Sequence, residues 1–339
     1  MIFYLPRYYL NSIQVVQSQF AELLRSAHHT QAFLFASGTK SNIRSHIKQY
    51  VLFCCKFQRV IVPADRDTLV AFFELFSVTA SYNHLKNVYS SIKFMHKALN
   101  YPFLEDEFQV DTILQSLKRK IARVPFQVLP ITPKIFIDMY NFIDPSKPCD
   151  IALWSSFLVC FYCLFRKANV APKNLNSFNF HKELSRRKIC ILHNEGVVLI
   201  YSNFSKTNQF LNRDSVIPLL RHDIRALDPI YHLELLFSVD MPDDFPAFSY
   251  FENGRLHCIT YTIFTKRLKS LLELSGYSPK LYSGHSMRRG GATLLFQLNC
   301  DPLIIQAIGD WSSDQYLKYL GLSLDQRFAA QQLMVSVTT

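Results

Sequence analysis

The chain is poor in glycine, and its longest apolar run is short. Only 9 of 339 residues are glycine, which excludes collagen-like and low-complexity proteins, while 49% hydrophobic residues suffice for a folded core. The longest apolar run, residues 151–165, contains Ser155 and Ser156 and is too short to cross a bilayer. Residues 1–7 are apolar but broken by Pro6, which makes a poor signal peptide. We expect a folded protein of one or two domains without a membrane anchor, in which residues 151–165 form a buried helix.

Motifs for metals and nucleotides are also lacking. Cys160 and Cys163 form a Cys-x-x-Cys, but no second pair stands at zinc spacing, and no P-loop is recognisable. Most of the eight cysteines fall within apolar runs and are interpreted as reduced core residues of a reducing compartment. We therefore expect no metal and no other cofactor.

Acidic residues are fewer than basic ones. The chain has 37 Lys and Arg against 26 Asp and Glu, a formal net charge of +11. This excess favours nucleic acid or an anionic membrane surface as a partner, although a soluble basic protein without such a partner has the same net charge. The distribution of the charges has to decide between these.

Residues 10–123 carry a helical pattern, with apolar residues spaced three and four apart. Basic residues form three stripes on the opposite faces. A solvated helix face is the usual origin of such stripes, but three of them with few acids between favour contacts with phosphates. The predicted DNA-contacting residues are Lys40, Arg44, Lys48, Lys86, Lys93, Lys97, Lys118, Arg119, Lys120 and Arg123. We predict that residues 1–123 form a helical, DNA-binding domain.

A proline-rich stretch follows this domain. Residues 124–133 contain three prolines, cannot continue a helix and are typical of an extended linker. Thr132 and Pro133 are typical of the cap and first position of a new helix. We place a domain boundary here and a second domain at residues 134–339. The alternative is an irregular loop inside one domain.

The second domain is predicted to be mainly α with a small β-sheet. Helices are expected in residues 134–180 and 222–282, with a strand pair or loop near 245–258, and again over 301–309 with Asp301 as the cap. Runs of β-branched residues predict three strands, of which the first two form a hairpin: 188–192, 197–201 and 215–219.

A polar motif stands near the C-terminal end. His285 and Arg288 are three residues apart and share a helix face, and Gly290 and Gly291 would let another backbone approach closely. Trp311 and Tyr319 follow at short distances.

Two upstream segments carry further basic residues. Arg166 follows the buried helix, and its spacing alone favours a cap of that helix's C-terminus. Lys206 lies in the connection between two strands, where a lone lysine is normally solvated.

Together these motifs resemble the tyrosine recombinase (phage-integrase-like) superfamily over roughly residues 20–335. The segments that carry the resemblance are Leu164–Val170, Phe204–Gln209, Gly284–Arg288, Trp311 and Tyr319. The amino-acid sequences of these motifs are most similar to those of recombinases from eukaryotic mobile elements, the Crypton and DIRS-like groups. The resemblance implies a helical core-binding (SAM-like) domain joined to a mixed α/β catalytic domain, which together clamp double-stranded DNA.

The chemistry implied is metal-independent cleavage and rejoining of DNA. Arg166 and Arg288 would bind the non-bridging phosphate oxygens, because planar guanidinium groups do so bidentately. His285 would assist proton removal from the nucleophile, and Lys206 would protonate the leaving 5′-oxygen. Trp311 can donate its indole N–H to a phosphate oxygen. Tyr319 would attack and form a 3′-phosphotyrosine, which conserves the bond energy.

Several points stay open at this level. Tyr316 lies on the same helix face as Tyr319 and is interpreted as a packing residue. Asn169 stands where many relatives carry an acid that orients the site, and here an amide must take that role. The tail, residues 322–334, is expected to pack on a neighbouring copy in a DNA-bound tetramer.

Two alternative functions stay open as well. One is a DNA-binding protein of this fold that has lost cleavage, and the other is a topoisomerase-like nick-and-reseal enzyme. Lys118, Arg119 and Lys120 could serve nuclear import but favour a DNA contact. If the protein comes from a eukaryotic mobile element, we expect it in the nucleus. Otherwise we expect it in the cytoplasm, associated with the nucleoid.

Overall fold

The computed structural model describes residues 34–104, 107–121, 128–202 and 215–311, together with residues 317, 331 and 332. The chain divides into two units, residues 1–125 and 126–339. Each unit has a hydrophobic core of its own.

The described part of the first unit is helical. Its helices are α1 (Ser37–Lys56), α2 (Arg66–Ser77), α3 (Tyr82–Ala98) and α4 (Phe108–Lys120). Asp65 caps α2 by accepting from the N–H of Thr68 (2.8 Å), and Ser81 caps α3 by accepting from the N–H of His84 (3.3 Å). Helix α1 packs on α3 and α2 on α4, around a core that includes Phe72.

The second unit is built around one buried helix. Its helices are α5 (Pro133–Tyr140), α6 (Pro148–Tyr162), α7 (Lys167–Val170), α8 (Pro229–Phe237), α9 (Tyr261–Leu274), α10 (Ser286–Gln297) and α11 (Pro302–Ile308). Every residue of α6 from 150 to 161 is buried, so its sequence shows no polar face. The predicted buried helix is confirmed, with an end at Tyr162 rather than at residue 165.

Two small antiparallel sheets complete this unit. The first contains β1 (Ile189–Leu192), β2 (Val197–Ser202) and β3 (Ser215–Leu220) in the order β1-β2-β3, and the second pairs β4 (Ser249–Glu252) with β5 (Arg255–Cys258). The three predicted strands and the strand pair are thus confirmed. Pro218 is tolerated in β3 because that strand has a neighbour on one side only within the described sheet.

Local signals near the helix ends are confirmed as well. The Thr132 hydroxyl accepts from the N–H of Ile135 (3.3 Å), and the Asp301 carboxylate accepts from that of Leu303 (2.7 Å). A side chain at Gly290 would overlap the carbonyl of Ile131. These contacts fix the start of α5 and let α10 lie close to its neighbours.

The residues that the structure describes include no helix long and apolar enough to cross a membrane. The eight cysteines are free thiols, and Cys160 and Cys163 are fully buried in α6 and at its end. Burial raises the pKa of both thiols well above the usual range, which keeps them protonated.

Candidate active site

Arg288 is the third residue of α10, and its side chain is 2% exposed. Its Nη1 donates to the carbonyl of Leu164, and its Nη2 donates to the carbonyl of Gly309 at 2.7 Å. The guanidinium carbon also lies 3.8 Å from the centre of the Trp311 ring. The side chain therefore joins the end of α6, the start of α10 and the end of α11.

The two carbonyls that accept from Arg288 both belong to helix C-termini of the same geometry. After α6, Leu164 has a φ of 51°, and the N–H of Phe165 donates to the carbonyl of Cys160 (3.0 Å). After α11, Asp310 has a φ of 50°, and the N–H of Trp311 donates to the carbonyl of Gln306 (3.1 Å). These are Schellman-type ends, and carbonyls at helix C-termini favour a positive charge. Arg288 therefore provides a charged hydrogen-bond donor to one carbonyl at the end of each helix.

Trp311 is held over Gly309. A Cβ at Gly309 would overlap the indole ring, so only glycine allows the ring to lie there. The side-chain amide of Gln306 donates to the carbonyl of Trp311 (3.1 Å), which adds to the backbone bond between the same two residues. Trp311 is 7% exposed. Gln306 was not singled out in the sequence, where a glutamine inside a short helix carries no signal.

Arg166 lies between α6 and α7. The buried helix ends at Tyr162, and Arg166 is the N-cap residue of α7. The Oδ1 of Asn169 accepts from the N–H of Arg166 (3.1 Å), and the N–H of Asn169 donates to the carbonyl of Arg166 (2.8 Å). These two bonds fix the backbone that carries the half-buried Arg166 side chain.

Asn169 thus has a definite structural role at the position where the resemblance implies an acid. Its amide oxygen serves as the acceptor that a carboxylate oxygen could also provide. Its own carbonyl accepts from the N–H of Leu184 (2.8 Å), which ties α7 to the segment before β1. Asn169 therefore provides a hydrogen bond to Arg166 without adding a negative charge.

His285 is placed by a serine turn. The hydroxyl of Ser283 accepts from the N–H of His285 (3.1 Å), and the hydroxyl of Ser286 accepts from the N–H of Ser283 (3.0 Å). Ser286 is fully buried. His285 is the N-cap residue of α10, so one helix start positions both His285 and Arg288. The Ser-x-x-Ser spacing resembles a helix-capping motif, and this signal in the sequence could have identified both serines as residues that fix the start of α10.

Lys167 links the segment of Arg166 to that of His285. Its amine lies 3.7 Å from the centre of the Tyr261 ring and donates to the Thr265 hydroxyl at 3.2 Å. A Cβ at Gly284 would overlap the Lys167 side chain. The alkyl chain of Lys167 therefore lies against the residue that precedes His285, and the amine is anchored on α9.

The structure brings four of the six predicted catalytic residues into one region. Arg288 contacts Trp311 directly. Leu164, shortly before Arg166, accepts a hydrogen bond from Arg288. Lys167, directly after Arg166, lies against Gly284, which precedes His285. The other two, Lys206 and Tyr319, lie outside the described residues, as does the alternative Tyr316. The tail, residues 322–334, is described only at 331 and 332.

The predicted DNA-contacting residues of the first unit lie on its surface, and Arg123 is outside the described part. Lys93 and Lys120 are each paired with an acid. Lys93 lies 2.7 Å from Glu107, and Lys120 lies 2.5 Å from Glu74. Exposed pairs of this kind are weak, so both lysines can exchange their partner for a phosphate.

Comparison with known proteins gives a fold but no sequence relative. No family model matches the chain, and no curated protein matches it in sequence. A lambda integrase dimer bound to a core site matches with a TM-score of 0.58 and 14% identity over 89% of this chain and 95% of the other. The chain therefore has the fold of the tyrosine recombinases.

Two other solved structures of this class match to a similar extent. The XerH site-specific recombinase bound to its difH substrate has a TM-score of 0.53 and 13% identity over 80% of this chain and 71% of the other. The Tn1549 transposon integrase, solved with transposon right end DNA, has a TM-score of 0.53 and 12% identity over 81% of this chain and 87% of the other.

Proposed function

We propose that this protein is a site-specific DNA recombinase that cuts and rejoins DNA through a 3′-phosphotyrosine. The observation that carries the proposal is the position of Arg288. Its guanidinium lies on Trp311 and donates to the carbonyl of Leu164, close in the chain to Arg166. The same helix begins at His285. Residues suited to bind and cleave a phosphodiester thus converge on a fold shared with DNA-bound recombinases.

The two arginines supply positive charge for the phosphate. Guanidinium groups stay charged and can bind two non-bridging oxygens at once, which suits the crowded transition state of phosphoryl transfer. Arg288 is held rigidly by two carbonyls and an indole, so little reorganisation is needed when charge develops. Arg166, half-buried at the start of α7, is the more accessible of the two.

The remaining roles follow from side-chain chemistry. His285 takes up the proton of the nucleophile, for which an imidazole is suited near neutral pH. Trp311 closes the site over Arg288 and has an indole N–H as its one donor. Lys206 protonates the leaving 5′-oxygen, and Tyr319 attacks the phosphorus. No step requires a cofactor.

The first unit binds duplex DNA through its exposed basic residues. Lys40, Arg44 and Lys48 are exposed along α1, as are Lys86 and Lys97 along α3. Such contacts set the position of the protein on DNA without selecting a base sequence, and binding should weaken steeply with salt. The active form is a tetramer on DNA in which the C-terminal tail contacts a neighbouring copy. The biological role is the integration and excision of a mobile element, in the nucleus if the host is eukaryotic.

The test is covalent trapping on DNA. The protein is incubated with a pool of nicked duplexes of random sequence, in which the nick releases the end and traps the intermediate. We expect a protein–DNA adduct with wild type and with Tyr316→Phe. Tyr319→Phe should give none, because the phenol oxygen is the nucleophile. An adduct that persists in Tyr319→Phe overturns the assignment of the nucleophile.

The same reaction separates the alternative functions. DNA binding without any adduct from the whole pool would identify a protein that has kept the fold and lost cleavage. Adducts and resealing without strand transfer between two duplexes would identify a nick-and-reseal enzyme. Deletion of residues 323–339 should abolish assembly on DNA, and unchanged assembly would contradict the role of the tail.

A further inference from the structure

A cavity lies in the second unit, and neither Arg288 nor Trp311 lines it. It has a volume of about 290 Å³ and opens to the surface beside the first sheet. The residues that line it are Phe180, His181, Arg187, Lys188 and Tyr201. The proposed roles of the active-site residues do not use this cavity.

The lining combines aromatic rings with positive charge. The rings of Phe180 and His181 lie 3.8 Å apart at an angle of 37°, and Tyr201 adds a third ring that is 43% exposed. Arg187 is exposed at the rim. Among the described residues that line the cavity there is no carboxylate. Flat rings with a nearby guanidinium are the groups that bind an unpaired nucleobase and its phosphate.

Lys188 gives the cavity a fixed wall. Its amine donates to the carbonyls of His181 (3.2 Å) and Glu183 (3.0 Å). These bonds hold the segment that carries Phe180 and His181 against the start of β1. The aromatic surface is therefore preformed, which lowers the cost of binding.

The cavity adjoins the segment of Arg166. Tyr201 lies at the end of β2, immediately before the connection that contains Lys206. A narrow crevice shares Lys188 and Tyr201 with the cavity and is also lined by Phe165 and Asn169. Asn169 is the residue that holds the backbone of Arg166. The cavity therefore lies next to the segment that carries Arg166.

We infer that this cavity binds an unstacked nucleobase of the DNA strand beside the cleaved phosphate. The inference rests on the proposed function. Stacking on Phe180 and Tyr201 holds the base, and Arg187 binds the adjoining phosphate. The base must leave the duplex stack first, so the cavity selects DNA that is already unpaired or easily unpaired at this position.

The test compares two DNA probes by fluorescence anisotropy. One is a short duplex with a single unpaired 2-aminopurine nucleotide, and the other is the same duplex fully paired. Wild type should bind the unpaired probe more tightly and quench its fluorescence by stacking. Phe180→Ala and Tyr201→Ala should each lose about tenfold in affinity for the unpaired probe and leave the paired one unchanged. Arg187→Gln should weaken binding to both.

Phe251→Ala is the matched control. Phe251 is also 43% exposed but lies on β4, outside the cavity, so its removal should leave both affinities unchanged. Circular dichroism should show that each variant is folded. Equal binding of the two probes by wild type, or a preference that survives in Tyr201→Ala, overturns the inference. Adenosine monophosphate that binds through Tyr201 while the DNA probes do not would identify a free-nucleotide site and overturn it as well.

Failure of this inference is distinguishable from failure of the proposed function. Wild type that forms adducts with nicked DNA but shows no preference for the unpaired probe disproves only the base-binding cavity. A protein that binds neither probe and forms no adduct disproves the recombinase function itself.

Discussion

The guanidinium of Arg288 lies over the indole of Trp311, with the guanidinium carbon 3.8 Å from the ring centre. The same group donates to the carbonyl at Gly309 and to that of Leu164, at the C-terminal ends of two helices. An arginine suits this place because its planar fork serves two acceptors and its face stacks on an aromatic ring. The residue proposed to bind phosphate therefore also joins three helix ends of the second unit.

Replacement of Arg288 by lysine tests this double role. A lysine keeps the charge but can neither stack nor reach two carbonyls from one plane. We expect Arg288→Lys to lower the free energy of unfolding by about 2 kcal/mol, since a hydrogen bond to a charged group contributes about 1.5–3 kcal/mol. Adduct formation should fall by about 10²–10³, the range for loss of one preorganised donor. Urea unfolding and gel assays of adducts measure the two effects.

The control for this variant is Arg255→Lys, on an exposed position of β5. It should change neither the unfolding midpoint nor the amount of adduct. Wild-type stability in Arg288→Lys would show that its bonds to the two helix ends contribute nothing.

A methyl group at Gly309 should displace Trp311. Because a Cβ there would overlap the indole, the ring has to leave Arg288 or the turn has to move. We expect Gly309→Ala to destabilise the second unit by about 1–3 kcal/mol, the usual cost of overpacking. The two tryptophans, Trp154 and Trp311, both belong to this unit, so fluorescence-detected urea unfolding reports on it. Gly38→Ala, where a Cβ meets nothing within 4 Å, lies in the first unit and should leave this fluorescence-detected transition unchanged.

Asn169 offers a test of the missing acid. An aspartate can accept from the N–H of Arg166 as the amide oxygen does, whereas alanine cannot. Asn169→Ala should cost about 1 kcal/mol of stability and slow adduct formation, because Arg166 is then less well positioned. Asn169→Asp should keep the stability within about 0.5 kcal/mol. If Asp is as harmful as Ala, hydrogen bonding to Arg166 is not what this position provides.

The contact between Lys167 and Gly284 calls for a double-mutant cycle. Gly284→Ala forces the Lys167 side chain away from Tyr261 and Thr265, at a cost of about 1–2 kcal/mol. In the Lys167→Ala background the same change should cost much less, because nothing has to move. The coupling energy from chemical unfolding measures the difference. Strict additivity of the two changes would show that they do not act through this contact.

His232 should make stability depend on pH. Burial lowers its pKa to about 4, from 6.5, and the imidazole is neutral in the folded protein. The unfolded chain binds a proton between pH 6.5 and 4 that the folded protein does not, so stability falls as the pH falls through this window. The full effect is on the order of 3 kcal/mol.

The measurement is urea unfolding at a series of pH values. His232→Gln should reduce the loss of stability below pH 6.5, since glutamine does not titrate there. His257→Gln, on β5, is the matched histidine-to-glutamine control. An unchanged slope in His232→Gln would exclude His232 as its source.

Local sequence signals determined much of the secondary structure. Thr132 with Pro133, and Asp301 with Pro302, predicted two helix starts because caps depend on neighbouring residues only. The three strands followed from alternation and β-branched residues. The order of the motifs also predicted the fold that the solved recombinases share.

Only the tertiary structure decided how the site is held. The bonds from Arg288 to Leu164 and Gly309, and the contact of Lys167 with Gly284, join residues far apart in the chain. Periodicity and spacing report on one helix or strand at a time and carry no information about such pairs. For the same reason spacing placed the end of α6 at residue 165 rather than at Tyr162, since that end depends on a left-handed turn at Leu164. The sequence by itself determined which groups are available to bind and cut a phosphodiester, and the packing of three helix ends determined how Arg288 and Trp311 are held together.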